Sequence, residues 1–332
     1  MMDFRLNEDQ IQLQKAAADF LSKESTKEVV FAAFEGEDGD SPELYKKMAD
    51  LGWLALAVPE DQGGLGMGLV EQAVLLEQLG YYAAPGAFFT NACISIPALL
   101  ALGANDESSA VLDGGKKVAF VIDPEFVIDG HLADSFLVTV NGRVRLLGGA
   151  DVKVKPLDTI DGTRRAASVE FSEQAGEDLG DVHAVESVVD AATAILCAEM
   201  VGGMQKSLDM VLDYVKVRTQ FGRPVGSFQS IKHRLADMLL KTEASRSAAY
   251  YAAWANQSGA DDAALSASVA KAYVSDAAPW VTGQCIQLHG GIGFTWEHEA
   301  HLYFKRATMN TALLGDVAFH RERALTLTTQ TR

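Results

Sequence analysis

The strongest constraint in this sequence is a run of apolar residues in its last third. Cys197, Val201, Met204, Leu208, Val211 and Val215 step by 4, 3, 4, 3 and 4, the spacing that lays one stripe along an α-helix. Phe228, Ile231, Leu235 and Met238 repeat the pattern with steps of 3, 4 and 3. Such stripes must be buried against other helices. Breaks at Gly222-Arg223-Pro224, Ser258-Gly259 and Gly290-Gly291 cut the region into long antiparallel helices. From Val185 to the end the sequence therefore predicts a helical bundle.

Upstream the period changes. Between Lys116 and Phe171, Val118, Phe120 and Ile122 alternate with their neighbours, as do Phe136, Val138 and Val140. Asn141-Gly142 is a hairpin turn, and Arg143-Val144-Arg145-Leu146 resumes the alternation. These features predict a small antiparallel β domain. From Asn7 to Leu112 the pattern is helical again: Ile11, Leu13, Ala17, Phe20 and Leu21 form a stripe, Ser41-Pro42-Glu43 is a cap with Pro at the first helical position, and Leu69, Ala73, Leu76 and Leu79 repeat at three to four. Glu35 to Asp40 reads as a solvated loop. The run from Gly63 to Gly68 reads as a flexible turn, because it lacks the Gly-Lys-Ser/Thr ending of a phosphate loop. The predicted organisation is thus α+β: a helical domain over residues 1–112, a short β domain over 113–178 and a helical bundle over 179–332.

Composition narrows the possible ligands. With 28 Lys+Arg against 45 Asp+Glu the formal charge is −17, so the average surface repels nucleic acid, and an anionic ligand must meet a local cluster of cations or helix ends. Cys93, Cys197 and Cys285 lie far apart in apolar settings, as reduced core residues do, and no metal site is implied. The first ten residues carry acids where a signal peptide carries bases. The uncharged stretch 78–105 is interrupted by Pro85, Gly86, Asn91 and Pro97, leaving pieces shorter than the ~20 residues of a membrane span. A cytoplasmic location is expected.

Three segments of the last third carry candidate chemistry. Arg218-Thr219-Gln220-Phe221-Gly222, with Ser227-Phe228-Gln229, puts a guanidinium at a helix end beside a Gly-Pro turn and an amide at the next helix start; such a set can hold a pyrophosphate. Gln287-Leu288-His289-Gly290-Gly291 ends a helix in paired glycines that admit another backbone or a cofactor. Trp296-Glu297-His298-Glu299-Ala300-His301-Leu302-Tyr303-Phe304-Lys305-Arg306 follows. Taken singly, Arg218 also suits a surface cation near a helix C-terminus, and Gly290-Gly291 a helix cap.

Together and in this order the three segments resemble the acyl-CoA dehydrogenase family, across essentially the whole chain. The resemblance implies an N-terminal helical domain, a middle β domain and a C-terminal four-helix bundle. It also implies α,β-dehydrogenation of an acyl-CoA, in which a glutamate removes the Cα proton and FAD takes the hydride from Cβ. The stretch from Trp296 to Arg306 is similar to the branch that acts in actinobacterial steroid side-chain degradation. By the same resemblance Arg218 and Phe221 match a run that binds the pyrophosphate of a neighbouring subunit's FAD, Gln229 and Gln287 match amides on its adenosine half, and Gly290-Gly291 its close-approach turn.

The departures bear on catalysis. Where many members carry the base, this chain reads Leu313-Leu314-Gly315-Asp316; at the alternative helix position it reads Ala192, followed by Thr193. Asp190 keeps an acid seen in some members, whereas Asp316 and Ala318 replace residues that touch a subunit's own flavin. The family's flavin-lining segments of the middle domain have no counterpart. The resemblance therefore implies a non-catalytic subunit of a heteromeric dehydrogenase, a heterotetramer with two copies of each subunit. A homologous, base-containing partner supplies the catalytic residue, FAD is shared with it, and a flavin electron acceptor reoxidises it. The alternatives are a flavin-free structural or regulatory homo-oligomer, and a homo-oligomeric flavoenzyme whose base has moved to Glu199, Glu297, Glu299 or Asp316 or whose chemistry is of a base-free oxygenase type.

Overall fold

The computed structural model of the chain describes residues 5–330. Helices lead: α1 (Glu8–Glu24), α2 (Lys27–Glu35), α3 (Pro42–Asp50), α4 (Leu69–Tyr81), α5 (Ile96–Ala101) and α6 (Asn105–Leu112). Strands follow as β1 (Val118–Val121), β2 (Val127–Ile128), β3 (Ser135–Val140), β4 (Arg143–Gly148), β5 (Val152–Leu157), β6 (Ala166–Phe171) and β7 (Glu177–Asp181). The remainder is α7 (Glu186–Val217), a small hairpin of β8 (Thr219–Gln220) and β9 (Arg223–Pro224), α8 (Gln229–Ser258), α9 (Ala263–His289), α10 (Ala300–Ala312) and α11 (Val317–Gln330). This helix–sheet–helix order is the α+β arrangement expected. Among the described residues no helix is long and apolar enough to cross a membrane.

Two compact units form. One gathers Glu28–Gln72 and Pro85–Ala192; the other gathers the N-terminal stretch through Lys27, Ala73–Ala84 and the stretch from Thr193 onward.

The first unit contains two sheets, ordered β1-β3-β4-β7 and β2-β6-β5. Their pairing is antiparallel except that β1 and β3 run parallel. The intervening β2 leaves for the other sheet, so the chain re-enters beside β1 in the same direction; the other pairs are those of the small antiparallel domain expected. Ala119, Val121, Val127, Phe136, Val138, Leu147, Val152 and Val169 form the core. In β3 the expected face, Phe136 and Val138, points inward. In β1 the phase differs: Ala119 and Val121 join the core, and Ile122 is 53% exposed. Val118 is buried as well, as befits a strand covered on both faces. Asn141 and Gly142 take φ of +50° and +77°, the left-handed pair of a type I′ hairpin turn, with Val140 opposite Arg143.

Two loops behave differently from each other. The acidic loop is not wholly solvated, because the Asp40 side chain is only 4% exposed and pairs with Lys117 at 2.5 Å. In the glycine run, Leu65, Gly66 and Met67 donate their amides to the carbonyls of Ala55, Val58 and Leu56. Amides already bonded to the chain cannot cradle a phosphate.

In the second unit every residue of the α7 stripe is buried, Cys197 through Val215. Met238 is buried on α8, but Phe228, Ile231 and Leu235 are only partly covered, and Leu239 and Leu240 are exposed. Helix α9 is the centre of the bundle and packs on α8, α10 and α11. The helices separate where the sequence predicts, with Gly259 at φ +62° and Gly290 at φ +65°. The backbones of Ala73–Ala84 and α7 cross closely, since a Cβ added at Gly202 would strike the Glu77 carbonyl and one at Gly80 the Glu199 carbonyl. Cys93, Cys197 and Cys285 are buried.

Candidate functional site

The helix ends that carry the first two segments singled out in the last third lie together. Arg218 follows α7 directly, its amide donating to the Tyr214 carbonyl at 2.9 Å, and its own carbonyl accepts from the Val225 amide at 2.8 Å. The β8–β9 hairpin therefore closes on the end of the helix. The Tyr214 ring lies 4.6 Å from the His289 ring at the end of α9, and the Arg234 guanidinium on α8 bonds the Gln284 side chain on α9. These contacts draw the end of α7, the start of α8 and the end of α9 together. Arg218, Gln229, Gln287 and Gly290-Gly291 are thereby carried by neighbouring elements.

The hairpin tip is strained. Phe221 has φ +53° and Gly222 φ +77°, so a phenylalanine occupies a left-handed position that costs roughly 1–2 kcal/mol for a residue with a Cβ. The residue is 92% exposed, and its ring meets Phe228 edge to face at a centroid distance of 6.1 Å. The two arginines of the hairpin differ in role. Arg223 lies 4.2 Å over the Phe228 ring, whereas Arg218 is exposed and has no side-chain hydrogen bond or ion pair among the described residues.

The turn after α9 is open on its outer side. Gly290 has φ +65° and ψ −143°, with its amide on the Gln287 carbonyl. A Cβ built at Gly290 or Gly291 meets nothing within 4 Å among the described residues, and Gln287 and Gln229 are exposed; the Gln229 amide lies 3.4 Å from the His233 ring nitrogen. The donor set is one unpaired guanidinium, two carboxamides and glycine backbone without side chains in the way. That chemistry fits the pyrophosphate and adenosine half of a dinucleotide.

The acids named as candidate bases are occupied in other ways or lie at the surface. Glu199 is buried and pairs with the buried Arg306 at 2.8 Å. Glu299 faces Lys206 at 3.7 Å. Asp316 caps the start of α11, accepting the Phe319 amide at 2.8 Å. Glu297 is exposed, and its backbone carbonyl accepts from the Lys27 ammonium at 2.6 Å. Ala192 and Thr193 are buried. Leu314 sits in a loop at φ +57°, and its carbonyl is 2.9 Å from His320 Nε2.

Sequence reasoning did not single out Tyr214, Arg234, Lys271 or His320. The one available signal was helical spacing, which places Tyr214 a turn before Arg218.

Comparison with known proteins agrees with this architecture. Residues 7–113 match the acyl-CoA dehydrogenase N-terminal domain and residues 183–325 the acyl-CoA dehydrogenase C-terminal domain. The acyl-CoA dehydrogenase IpdE2 of Mycolicibacterium smegmatis is 36% identical over 311 residues, covering 93% of this chain and 96% of the relative. Among solved structures, a chain of the Tcur3481-Tcur3483 steroid ACAD superposes with a TM-score of 0.86 at 25% identity, covering 98% of both chains. A chain of the ChsE4-ChsE5 complex from Mycobacterium tuberculosis shares the fold, with a TM-score of 0.87 at 24% identity and 100% coverage of each. With its matched end domains, its full-length relative and its helix–sheet–helix fold, this chain belongs to the acyl-CoA dehydrogenase family.

Proposed function

We propose that this chain is the subunit without a base in a heteromeric FAD-dependent acyl-CoA dehydrogenase that desaturates an acyl-CoA of the steroid class. The observation that carries the proposal is Phe221: a strained, 92% exposed aromatic at the tip of a hairpin beside the unpaired Arg218. Strain of this kind persists where a function needs it, and the ring, which meets Phe228 edge to face, otherwise stands exposed. On this reading the hairpin reaches a homologous partner subunit, where Arg218 grips the pyrophosphate and Gln229, Gln287 and the Gly290-Gly291 turn accept the adenosine half. FAD, when bound, supplies the hydride acceptor for the oxidation, and a flavin electron acceptor reoxidises it.

The division of labour follows from the acids. Leu314 cannot accept a proton, Glu199 is committed to Arg306 and Asp316 to a helix cap. A missing general base lowers a rate by roughly 100- to 10,000-fold, so the proton of Cα goes to the partner. The steroid class and the heteromer are supported by the likeness to the Tcur3481-Tcur3483 steroid ACAD and to a chain of the ChsE4-ChsE5 complex.

The test is co-expression of this chain with a homologous subunit whose glutamate is intact, followed by flavin quantification and acyl-CoA-dependent dye reduction. The account expects both signals from the pair and neither from this chain alone. Full flavin and turnover in the chain alone would instead support a homo-oligomeric flavoenzyme.

A further inference from the structure

His289 is a buried residue at the hinge of the candidate clamp. It ends α9, is 4% exposed, and its Nδ1 lies 2.8 Å from the Cys285 carbonyl one turn earlier. A carbonyl can only accept, so that nitrogen carries the proton and the ring is held in one orientation. One neighbour of the ring is Tyr214, at a centroid distance of 4.6 Å and 33° between planes. Another is His298, at 4.4 Å and 57°. The turn that follows folds back on the same residue, since a Cβ added at Gly293 would come within 3.0 Å of the His289 Cβ and 2.6 Å of the Ile286 carbonyl.

We propose that His289 is a positioning residue: packed between Tyr214 and His298, it sets the spacing between the end of α7 that carries Arg218 and the Gln287–Gly291 turn of α9. The coupling route is short. The Tyr214 carbonyl accepts the Arg218 amide, so the residue whose ring packs on His289 also holds the backbone from which the guanidinium projects. Gln287 lies two residues before His289, and Gly290-Gly291 directly follows it. Removing the imidazole leaves both halves of the clamp in place and loosens their separation. The inference rests on the cofactor-clamp reading given above.

The experiment is FAD titration into flavin-stripped assembly, purified through a tag on this chain, for wild type, His289→Ala, His289→Phe, Arg218→Ala and the double variant His289→Ala/Arg218→Ala, with sizing of each. Loss of one packed aromatic contact predicts FAD affinity about 3- to 10-fold weaker in His289→Ala. His289→Phe, which keeps a ring between Tyr214 and His298, should recover most of that loss. In the Arg218→Ala background the His289→Ala change should cost under half of its single-variant effect, because His289 acts through Arg218. Should His289→Ala assemble poorly, Tyr214→Leu against His289→Phe provides the same comparison. A weakened Arg218→Ala with unchanged His289→Ala affinity, or fully additive losses, overturns the positioning role and leaves the clamp standing. An unaffected Arg218→Ala overturns the clamp and this role together.

Discussion

The Lys271 ammonium donates to the Gly315 carbonyl at 3.0 Å, one residue past Leu314. The same ammonium reaches the Thr311 carbonyl at 3.0 Å and the Ser275 hydroxyl at 3.1 Å. With His320 on the Leu314 carbonyl at 2.9 Å, the loop between α10 and α11 is tied from beneath by two side chains, both at most 1% exposed. The loop conformation is therefore set independently of the side chain at position 314.

Leu314→Glu in the isolated chain should fold and yet create no dehydrogenase. The carboxylate would enter a loop already held by Lys271 and His320, but a base without a positioned acyl group and flavin has no reaction to assist. Acyl-CoA-dependent dye reduction well above wild type in the chain alone would refute this.

Lys271 gives a pH signature to the same loop. Burial is the largest influence and pushes its ammonium from 10.5 down to about 8, against the opposing effects of Cys197 and Asp316. Between those values the unfolded chain binds the proton more tightly than the folded one, so stability should rise with pH from about 8 towards 10.5, and below 8 this group should add no pH slope. The slope has an upper limit of about 1.4 kcal/mol per pH unit. Urea midpoints measured from pH 7 to 10 should show this rise for wild type relative to Lys271→Met. Parallel curves for the two proteins would contradict it.

The Glu199–Arg306 pair is a structural bond at 2.8 Å, with the two side chains 2% and 8% exposed. Replacing one partner leaves a buried charge uncompensated, at a cost of about 3–5 kcal/mol. Glu199→Gln should therefore lower the denaturation midpoint strongly. Turnover by the assembly, measured where the variant is folded, should fall by much less than the factor lost with a general base. A variant of wild-type stability that has lost all turnover would make Glu199 the displaced base.

The isolated chain should retain little FAD, because Leu314, Asp316 and Ala318 offer no contacts for an isoalloxazine of its own on the family resemblance. The absorbance ratio of flavin to protein after purification reads this directly. A stoichiometric ratio would show that the chain makes a complete site.

Local patterns explain why parts of this structure could be read from the sequence. The stripe from Cys197 to Val215 is one face of one helix, so its burial follows from spacing alone. The glycine breaks at Gly259 and Gly290 are local for the same reason. Strand β1 departs in phase from its alternation because it is covered on both sides, and alternation cannot mark the inner face of such a strand. Asp40 and Lys271 have ordinary surface residue types, and only the folded chain brings Lys117 to the one and the Thr311 and Gly315 carbonyls to the other. Arg218 and Gly290-Gly291 were visible as motifs, but the Tyr214–His289 contact that joins their helices links residues far apart in sequence.

The central claim is that Arg218 holds a cofactor shared with another subunit. Its most direct test is FAD titration into the flavin-free assembly carrying Arg218→Ala, with assembly checked by sizing. A charge-assisted bond to pyrophosphate contributes about 1.5–3 kcal/mol, against about 0–1 for an exposed surface cation. The account predicts affinity weakened roughly 10- to 150-fold, with only partial recovery in Arg218→Lys, which keeps the charge and loses the bidentate fork. Wild-type FAD affinity in an intact Arg218→Ala assembly would contradict it and leave this arginine as a surface cation at a helix end.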